Sequence, residues 1–437
     1  MCDWCTVFKT TLTAGICFQL DREIMLRRVV VISDLSVERD GPTAIALATV
    51  RMLRKNGIEV TYVCGDDGSN ESLRDLGVRV VPLGGLELVT ASRINAAVVG
   101  LFNLKAANIL RKVIRETDGE GVVYHLHNWS KILSPSIFSV LDRVSERLFI
   151  STHDFFLACP NGGYFNFQRK STCELDPLSF ACVTTNCDRR SYGEKIWRIV
   201  RALMRRSLIG LSGKRPTILA VHEGMVDYLV RGGIGREAIL VLRNPVSPWS
   251  DTRIAAENNS KFLFVGRLEH DKGADLLAAA ARAAGIQLQI VGDGPLRSDL
   301  ERVYPEIEFM GWQSREQVAV IARTARAVVA PTASRETFGL VAFEALTSGI
   351  PVIVSKFGIA SDEITRNGLG FACDPYDHDE LTRLLRQMAG NTEKLGQMSR
   401  ACWERRNTIT LTSRQWEERL LSLYEDAAGN AAEIGRT

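Results

Sequence analysis

The stretch Pro331–Ile353 reads PTASRETFGLVAFEALTSGIPVI, and its pattern decides the fold of the second half of the chain. A run of small and β-branched residues, Ala327–Ala330, precedes it and predicts a buried strand. A polar loop containing Glu336 follows, and a helix then leads to Gly349 and to the next apolar run, Val352–Val354. Strand, loop, helix and strand in this order are typical of a parallel sheet covered by helices.

The same alternation extends in both directions from this stretch. In the second half it predicts six strands: Phe262–Val265, Gln287–Val291, Ile307–Phe309, Ala327–Ala330, Val352–Val354 and Gly370–Ala372. In the first half it predicts six more strands and two long helices: Val29–Ser33, Glu59–Cys64, Val78–Val81, Val122–His125, Arg147–Ser151 and Thr217–Val221, with helices Pro42–Asn56 and Ala91–Glu116. The predicted fold class is α/β, with two tandem Rossmann-like doubly wound domains facing a central cleft.

Turn-forming residues without a periodic pattern fill residues 244–259, NPVSPWSDTRIAAENN, and mark the domain boundary. We therefore expect a first domain over residues 25–245 and a second domain over residues 246–412. In the final segment, 413–437, the stretch Ser413–Ala428 has the period of an amphipathic helix and is expected to cross back to the first domain.

The composition is that of an ordinary globular protein. Of the 437 residues, 46% are hydrophobic and 24% are charged, and the net charge is +3. A charge so close to balance argues against a nucleic-acid binder, and no apolar run reaches the roughly 18 residues that a membrane-spanning helix needs. Residues 1–24 lack the basic start and the cleavage site of a signal peptide, so we expect a cytoplasmic protein on which these residues are either a disordered extension or the product of an upstream start.

The loop and helix of the opening stretch also carry the clearest chemistry. A helix N-terminus offers unpaired N–H groups and a positive dipole end, and Phe338, Gly339 and Leu340 lead into such a terminus, which suits a phosphate. Glu336 in the loop can accept hydrogen bonds from sugar hydroxyls. Glu344, about two turns down the helix, is within reach of a second diol such as a ribose. Phosphates flanked by two polyhydroxylated rings describe a nucleotide sugar.

Two further strand–turn motifs lie upstream. FVGRLEHDKG, Phe264–Gly273, ends a strand, turns at Gly266 and places Arg267 and Lys272 beside the strand end. Two cations there suit a diphosphate, because they neutralise the charge that grows on a departing nucleoside diphosphate. The motif IVGDGP lets Gly292 bring backbone close to a ligand, although the same residues also form a plain turn.

Together, GRL-x3-KG, VGDGP and ETFGL-x3-EAL-x2-G-x-PV resemble the nucleotide-binding domain of family-4 retaining glycosyltransferases, which have the GT-B fold. The resemblance is tight from Phe262 to about Asp374 and looser in the first domain. It implies that Arg267 and Lys272 bind the donor phosphates, that Glu336 contacts the transferred sugar and that Glu344 binds the ribose. It also implies retention of anomeric configuration without a catalytic metal, because the basic pair takes its place.

By the same resemblance the first domain supplies the acceptor site. Gly41, in a loop before a helix, is similar to the family's glycines that face the donor phosphates, although the family often has two glycines there. His127 in HLHNW and His153 in THDF each follow a strand end, where a histidine can touch substrate. The family's histidine corresponds to His153, with Asp154 beside it. Asn244, in LRNPV, resembles the hinge asparagine near the donor, although Asn-Pro is also a simple turn.

Four cysteines fall in a glycine- and aromatic-rich insertion over residues 159–187: Cys159, Cys173, Cys182 and Cys187. Four thiolates can close a tetrahedral structural zinc site. The spacings lack the C-x2-C pair that marks most zinc sites, so zinc, disulfides and four unlinked thiols all stay open. Because the insertion directly follows His153 and Asp154, we expect it to shape the acceptor pocket.

The segment Arg189–Gly210 predicts a basic amphipathic helix. Its apolar stripe consists of Ile196, Val200, Leu203, Met204 and Ser207. Such a helix can lie on an anionic membrane surface as a peripheral contact, which would suit a lipid-linked acceptor. The sequence favours the ordinary alternative, in which one face is buried in the core and the other is solvated.

These observations favour a retaining hexosyltransferase that uses a nucleoside diphosphate sugar and a sugar, lipid-linked or other hydroxyl acceptor. The products would be polysaccharide, lipopolysaccharide or another glycoconjugate, made in the cytoplasm or at the inner face of the cytoplasmic membrane. Arg267 and Lys272 would stabilise leaving-group charge, Glu336 would hold the donor sugar, and His153 would contact the acceptor or the departing sugar. Two alternatives stay open: a sugar-nucleotide epimerase or hydrolase on the same plan, and a non-catalytic nucleotide-sugar-binding subunit.

Overall fold

The structure is a computed structural model that describes residues 26–88, 93–210 and 212–434. The expected extension over residues 1–24 lies outside these ranges. Within the described ranges, no helix is both long and apolar enough to cross a membrane.

The first domain is built on a seven-stranded parallel sheet. The strands of this half of the chain are β1 (Arg28–Ser33), β2 (Glu59–Cys64), β3 (Arg79–Pro82), β4 (Val122–Leu126), β5 (Leu148–Thr152), β6 (Phe165–Asn166), β7 (Ser171–Thr172), β8 (Thr217–Ala220) and β9 (Ile239–Val241). The order across the sheet is β3-β2-β1-β4-β5-β8-β9, and β6 pairs with β7 as a separate antiparallel ladder in the insertion.

The helices of the first half lie between these strands. They are α1 (Gly41–Lys55), α2 (Glu71–Asp75), α3 (Arg93–Leu101), α4 (Leu104–Thr117), α5 (Phe138–Leu141), α6 (Phe180–Thr184), α7 (Tyr192–Leu208) and α8 (Val226–Arg231).

The second domain has a six-stranded parallel sheet in the order β12-β11-β10-β13-β14-β15. Its strands are β10 (Lys261–Val265), β11 (Leu288–Val291), β12 (Glu308–Gly311), β13 (Ala325–Ala330), β14 (Val352–Ser355) and β15 (Gly370–Cys373). Its helices are α9 (Ala274–Ala284), α10 (Arg297–Val303), α11 (Arg315–Ala322), α12 (Leu340–Thr347), α13 (Ser361–Arg366), α14 (His378–Gly390) and α15 (Thr392–Ile409), and α16 (Ser413–Ile434) ends the described chain.

Both sheets confirm the fold class predicted from the sequence. The twelve predicted strands are present within two residues of their predicted ends, because continuous apolar runs in a doubly covered sheet leave little ambiguity. In each sheet the strand order reverses beside the first strand, between β1 and β4 and between β10 and β13. Ligands of such folds bind at this point, outside the carboxyl ends of the strands.

The single helix predicted over Ala91–Glu116 is wrong, because the structure has two helices there, α3 and α4. Asn103 separates them. Its side chain accepts a hydrogen bond from the backbone N–H of Ala106 at 3.1 Å and so caps α4. Its own N–H donates to Ser134 Oγ at 2.9 Å instead of continuing α3.

The chain crosses between the domains twice, and the two crossings run side by side. Pro245 forms a parallel β-bridge with Leu411, and the N–H of Val246 donates to the carbonyl oxygen of Leu411 at 3.0 Å. Beyond Leu411, α16 returns to the first domain, where Trp416 and Tyr424 are buried in the same core as β1.

Helix α7 turns the face opposite to the expected one toward the core. Its basic side chains Lys195, Arg201 and Arg205 are buried, whereas the predicted apolar stripe is largely exposed. One face of α7 is buried and the other is exposed, as the favoured alternative expects, but the predicted apolar stripe lies on the exposed face, and Ile199 and Ala202 are buried with the cations instead. Hydrogen bonds replace the water around two of these cations: Arg201 Nε donates to the carbonyl oxygen of Gly100 at 2.9 Å, and Lys195 Nζ lies 3.1 Å from Cys187 Sγ. Arg205 Nε is buried without a hydrogen-bond partner.

Candidate active site

A cavity of about 450 Å³ lies between the two domains, at the carboxyl ends of the strands. From the second domain it is lined by the turn after β10, the loop after β13 and the start of α12. From the first domain it is lined by Arg39–Pro42, Lys131 and His153, and Asn244 of the first crossing completes the wall. Of the predicted site residues, the cavity brings together Arg267, Lys272, Glu336 and His153, along with the following: Gly41, Asn244, Gly266, Phe338, Gly339 and Leu340.

Lys272 and Glu336 form an ion pair at the centre of the second-domain wall. Lys272 Nζ lies 2.8 Å from Glu336 Oε2, and both side chains are partly exposed. The Glu336 carboxylate raises the pKa of Lys272, so the ammonium stays charged. The two residues belong to different loops, which meet where the N–H of Ala333 donates to the carbonyl oxygen of Asp271 at 2.8 Å.

Gly273 makes this meeting of the two loops feasible. A Cβ at this position would lie 2.2 Å from the carbonyl oxygen of Pro331, and the backbone φ is +72°. Only glycine accepts both the contact and the left-handed conformation without strain. Gly273 therefore lets the loop of Lys272 pack closely on the loop of Glu336, which positions the Lys272 ammonium beside the Glu336 carboxylate.

Arg267 supplies a second cation to the same wall. Its Nη1 lies 2.9 Å from Glu269 Oε1, and about half of its side chain is exposed. An exposed guanidinium of this kind can exchange its carboxylate partner for phosphate oxygens at little cost. Arg267 and Lys272 thus provide two positive charges at the end of β10, as the sequence predicts.

Two helix N-termini face each other across the cavity. Gly339 precedes α12 with φ +84°, and the first turn of α12 lines the cavity. Gly41 begins α1 on the opposite side, where a Cβ would lie 3.4 Å from Leu340 Cδ1. The first N–H groups of α12 have no partner within the helix, so this terminus favours an anion, whereas at α1 Pro42 lacks an N–H and the Asp40 carboxylate already accepts from the N–H of Thr43.

Two residues predicted to bind the donor, Glu344 and Gly292, lie outside the lining of the cavity. Glu344 Oε1 accepts a hydrogen bond from Arg315 Nη1 at 2.6 Å, a partner that the sequence did not reveal. Burial raises the pKa of Glu344 and Arg315 opposes this shift. Gly292, with φ +138°, serves backbone packing, because a Cβ there would lie 1.9 Å from the carbonyl oxygen of Gly266.

The first-domain wall contains an ion pair that sequence reasoning missed. Lys131 Nζ lies 2.5 Å from Asp40 Oδ2, while Asp40 Oδ1 caps α1 by accepting from the N–H of Thr43 at 2.9 Å. Burial opposes ionisation of Asp40, but Lys131 keeps its pKa below the usual value. The sequence did contain a signal for Lys131, because this residue lies only two positions after the HLHNW motif at the end of a predicted strand.

Asp34 holds the Lys131 loop in place. This carboxylate is fully buried, and it accepts hydrogen bonds from the N–H groups of Lys131, Ile132 and Leu133 at 2.7 to 2.9 Å. Burial raises the pKa of Asp34, and the three hydrogen bonds offset part of that shift. Asp34 is the first residue after β1 and so lies at the switch point of the sheet.

His153 is the histidine that reaches the cavity, and His127 lies behind it. His127 is buried, and its Nδ1 lies 3.3 Å from His153 Nε2, with the two rings stacked 5.5 Å apart. Thr337 Oγ1 donates to the carbonyl oxygen of His153 at 2.7 Å and so ties the loop of Glu336 to the first domain. Asp154 does not line the cavity, because its Oδ1 accepts from the N–H of Phe156 at 2.9 Å; burial raises the pKa of Asp154 to about 6.

The buried histidines predict a loss of stability in mild acid. Burial lowers the pKa of His125 to about 3 and that of His153 to about 4, and it lowers the pKa of His127 well below 6.5. Between about pH 6.5 and 4 these three histidines bind more protons in the unfolded chain than in the native one, so their contribution to the free energy of unfolding decreases as the pH is lowered, and Asp154 with its raised pKa offsets part of that decrease. Urea unfolding at several pH values measures the slope. His127→Gln should flatten it and His378→Gln, at an exposed position, should not; equal slopes in all three proteins would contradict the prediction.

The cysteine-rich insertion does not line this cavity, but its Thr172 and Glu174 line an adjoining cavity of about 520 Å³ that shares Gly358 and Ser361 with it. That the insertion shapes the acceptor pocket stays a prediction. The insertion packs along the edge of the cleft and contacts the second domain there. Phe165 meets the ring of Phe357 at 5.1 Å, and Lys170 Nζ lies 4.6 Å from the ring centre of Tyr376. The chain turns away from the cavity immediately after His153, in the turn that Asp154 caps.

A buried lysine lies among the cysteines of this insertion. Lys195 Nζ is 3.1 Å from Cys187 Sγ and 3.5 Å from Cys182 Sγ. Burial would lower the pKa of Lys195, but the two sulfurs raise it above the usual value. Burial raises the pKa of Cys159 to about 11.

The zinc hypothesis gains no support from this arrangement. All seven cysteines in the described ranges are free thiols, and within those ranges no three His, Cys, Asp or Glu side chains converge as a metal site requires. Zinc at Cys159, Cys173, Cys182 and Cys187 stays a prediction that metal analysis of the purified protein can test.

The amino-acid sequence is similar to those of known glycosyltransferases. The family model of glycosyl transferases group 1 matches residues 249–404. D-inositol 3-phosphate glycosyltransferase of Mycobacterium tuberculosis is 31% identical over 246 residues, which cover 51% of this chain and 47% of the relative. The chain thus spans about half the length of the curated relatives it matches.

Solved structures resemble the whole chain. Sucrose-phosphate synthase from Thermosynechococcus elongatus superposes with a TM-score of 0.66 at 16% identity, over 92% of this chain and 98% of that one. HepE from Anabaena, solved in complex with UDP and glucose, superposes with a TM-score of 0.61 at 14% identity, over 92% of this chain and 100% of that one. At such identities the likeness concerns the fold. The match to the glycosyl transferases group 1 model thus falls on the second domain, and the chain as a whole has the GT-B fold.

Proposed function

We propose that this chain transfers a sugar from a nucleoside diphosphate sugar to a hydroxyl acceptor, with retention of anomeric configuration. The observation that carries the proposal is the Lys272–Glu336 ion pair beside Arg267, in a cavity that is also lined by the N-terminus of α12. Cations and free N–H groups suit a diphosphate, and a carboxylate suits the hydroxyls of a sugar. The complex of HepE with UDP and glucose supports this class of donor.

In the proposed reaction the bond between the anomeric carbon and the phosphate oxygen breaks. The acceptor oxygen bonds to that carbon on the same face, and the acceptor proton passes to the departing phosphate. Arg267, Lys272 and the N-terminus of α12 would neutralise the charge that grows on the phosphate. These groups would act in place of a divalent cation, so we propose that catalysis needs no metal.

The acceptor would enter from the first-domain side. His153, Asp40 and Lys131 face the donor wall from there, and all three line the cavity. Because burial keeps the pKa of His153 at about 4, its imidazole is neutral at physiological pH. A neutral imidazole can donate one hydrogen bond and accept another, which fits contact with a hydroxyl group.

A panel of nucleotide sugars tests the donor. UDP-, GDP- and ADP-linked sugars are compared by thermal shift of the full chain, and we expect one nucleotide class to raise the melting temperature. A ligand at about 100 times its dissociation constant stabilises the native state by about 2.7 kcal/mol. No shift with any of the three classes would contradict the proposal.

Product analysis with the donor that binds separates the transferase from its alternatives. We expect a glycosylated product that forms only when an acceptor is supplied. Free sugar or an epimerised sugar nucleotide in the absence of acceptor would instead indicate a hydrolase or epimerase. Binding without turnover over a broad set of acceptors would indicate a non-catalytic subunit.

A further inference from the structure

Helix α7 carries an exposed apolar stripe that its own fold leaves uncovered. Tyr192, Ile196, Val200 and Leu203 are 42%, 37%, 41% and 51% exposed. Steps of four, four and three residues keep them on one side of the helix. The opposite side of α7 buries Lys195, Arg201 and Arg205. Three of the five buried positions of α7 are therefore cations, and four large side chains of the apolar stripe are exposed.

The apolar surface continues onto the neighbouring helices. Trp197 Nε1 donates to the carbonyl oxygen of Ala97 at 2.9 Å and joins α7 to α3, where Val98 is 64% exposed. At the other end the hydroxyl of Tyr192 donates to the carbonyl oxygen of Val183 at 2.9 Å and joins α7 to α6. We call the exposed side chains of α3, α6, α7 and the first residue of α4 the apolar face: Val98, Val99, Leu104, Phe180, Tyr192, Ile196, Val200 and Leu203.

The concentration of these residues sets this surface apart. In the described ranges fifteen large apolar side chains are exposed, and eight of them belong to the apolar face. Single exposed apolar residues are ordinary, but a clustered set marks a surface that binds something.

The charge around the apolar face identifies its occupant. Between Glu87 and Glu116, the part of the chain with α3 and most of α4, there are five Lys and Arg residues and no further acid. At the two ends of α7, Arg189, Arg190 and Arg206 are exposed cations, and the one acid of this segment, Glu194, lies 3.7 Å from Arg190. An apolar surface bordered by cations matches a bilayer with anionic headgroups, which takes apolar side chains into its interface and attracts the basic rim.

We propose that the apolar face docks on the anionic surface of a lipid bilayer. This docking is independent of the proposed chemistry, but it would place the cavity beside the membrane. Arg201 Nη2, on the buried side of α7, donates to the carbonyl oxygen of Ser130 at 2.7 Å. The N–H of Leu88 donates to the carbonyl oxygen of Lys131 at 3.0 Å. Since Lys131 lines the cavity, the membrane-facing helices directly support its acceptor side.

Vesicle flotation of the full chain tests the proposal. Vesicles of phosphatidylcholine alone are compared with vesicles that also contain phosphatidylglycerol. We expect the protein to float with the second kind, and the triple variant Ile196→Gln, Val200→Gln, Leu203→Gln to partition at least about tenfold less. The matched control is Trp312→Gln with Val320→Gln, two exposed apolar positions on the second domain, which should bind like the native chain.

Nucleotide-sugar thermal shift, measured on each variant, shows that the fold and the cavity are intact. A triple variant that floats like the native chain would overturn the proposal. Equal flotation of the native chain with and without phosphatidylglycerol in the vesicles would also overturn it. Self-association of the native chain that the triple variant abolishes would overturn it in favour of a second copy on the same face. Each of these results leaves the donor-binding measurement, and therefore the proposed function, unaffected.

Discussion

Replacing Glu336 with glutamine should reduce sugar transfer by about 100-fold or more while leaving nucleoside diphosphate binding nearly intact. Glu336 is the carboxylate in the cavity that is placed to accept hydrogen bonds from the donor sugar, and it also pairs with Lys272 at 2.8 Å. Glutamine keeps the size of the side chain but removes its charge. Lys272 then loses one carboxylate partner and stays available to the phosphates. Initial rates of transfer and thermal shift with the bare nucleoside diphosphate measure the two effects separately.

Glu308→Gln is the matched control for this substitution. Glu308 lies on β12 of the same domain and pairs with Lys261 at 2.8 Å, away from the cavity. We expect this variant to transfer sugar at the native rate. Native activity in the Glu336 variant would remove Glu336 from the reaction. Loss of both transfer and nucleotide binding would show that its role is to organise the phosphate site.

Replacing Lys272 with methionine should produce the complementary pattern. The ammonium is held charged beside Glu336 and faces the cavity, so its loss removes charge stabilisation from both the bound diphosphate and the departing one. We expect transfer to fall by about 100- to 1,000-fold, together with a clear weakening of nucleoside diphosphate binding. Steady-state kinetics and calorimetric titration of the nucleoside diphosphate measure these quantities.

Lys261→Met is the corresponding control, because Lys261 has the same type of partner outside the cavity. An exposed pair of this kind contributes little to stability, so the control should fold and react like the native chain. If Lys272→Met binds the nucleoside diphosphate normally, the proposed phosphate contact is wrong. The opposite binding results expected for Glu336→Gln and Lys272→Met distinguish a sugar contact from a phosphate contact within one ion pair.

The sequence predicted the fold class and most of the second-domain wall because both depend on local patterns. Strands that are buried on both faces read as apolar runs, and the turn after β10 places Arg267 and Lys272 within six positions of each other. The pairing of Lys272 with Glu336 joins residues 64 positions apart, yet it follows from the strand order, because β10 and β13 are neighbours.

What the sequence did not predict depends on contacts between distant segments. The Asp40–Lys131 pair and the hydrogen bonds of Asp34 join loops about 90 to 100 residues apart. Arg315 pairs with Glu344 from another helix. The orientation of α7 was missed for the same reason: its sequence shows an apolar stripe, but which side faces the core depends on carbonyl groups of α3 and of the loop before α5.

The paired crossings at Pro245 and Leu411 determine how the cavity can change shape. Two chain segments that run side by side and share a hydrogen bond would bend together, so they would form a single hinge between the two domains. Rotation of the domains about this hinge would open and close the cavity between them, whereas sliding of one domain along the other would break the β-bridge. Donor binding would then accompany domain closure, and product release would accompany domain opening by the same rotation.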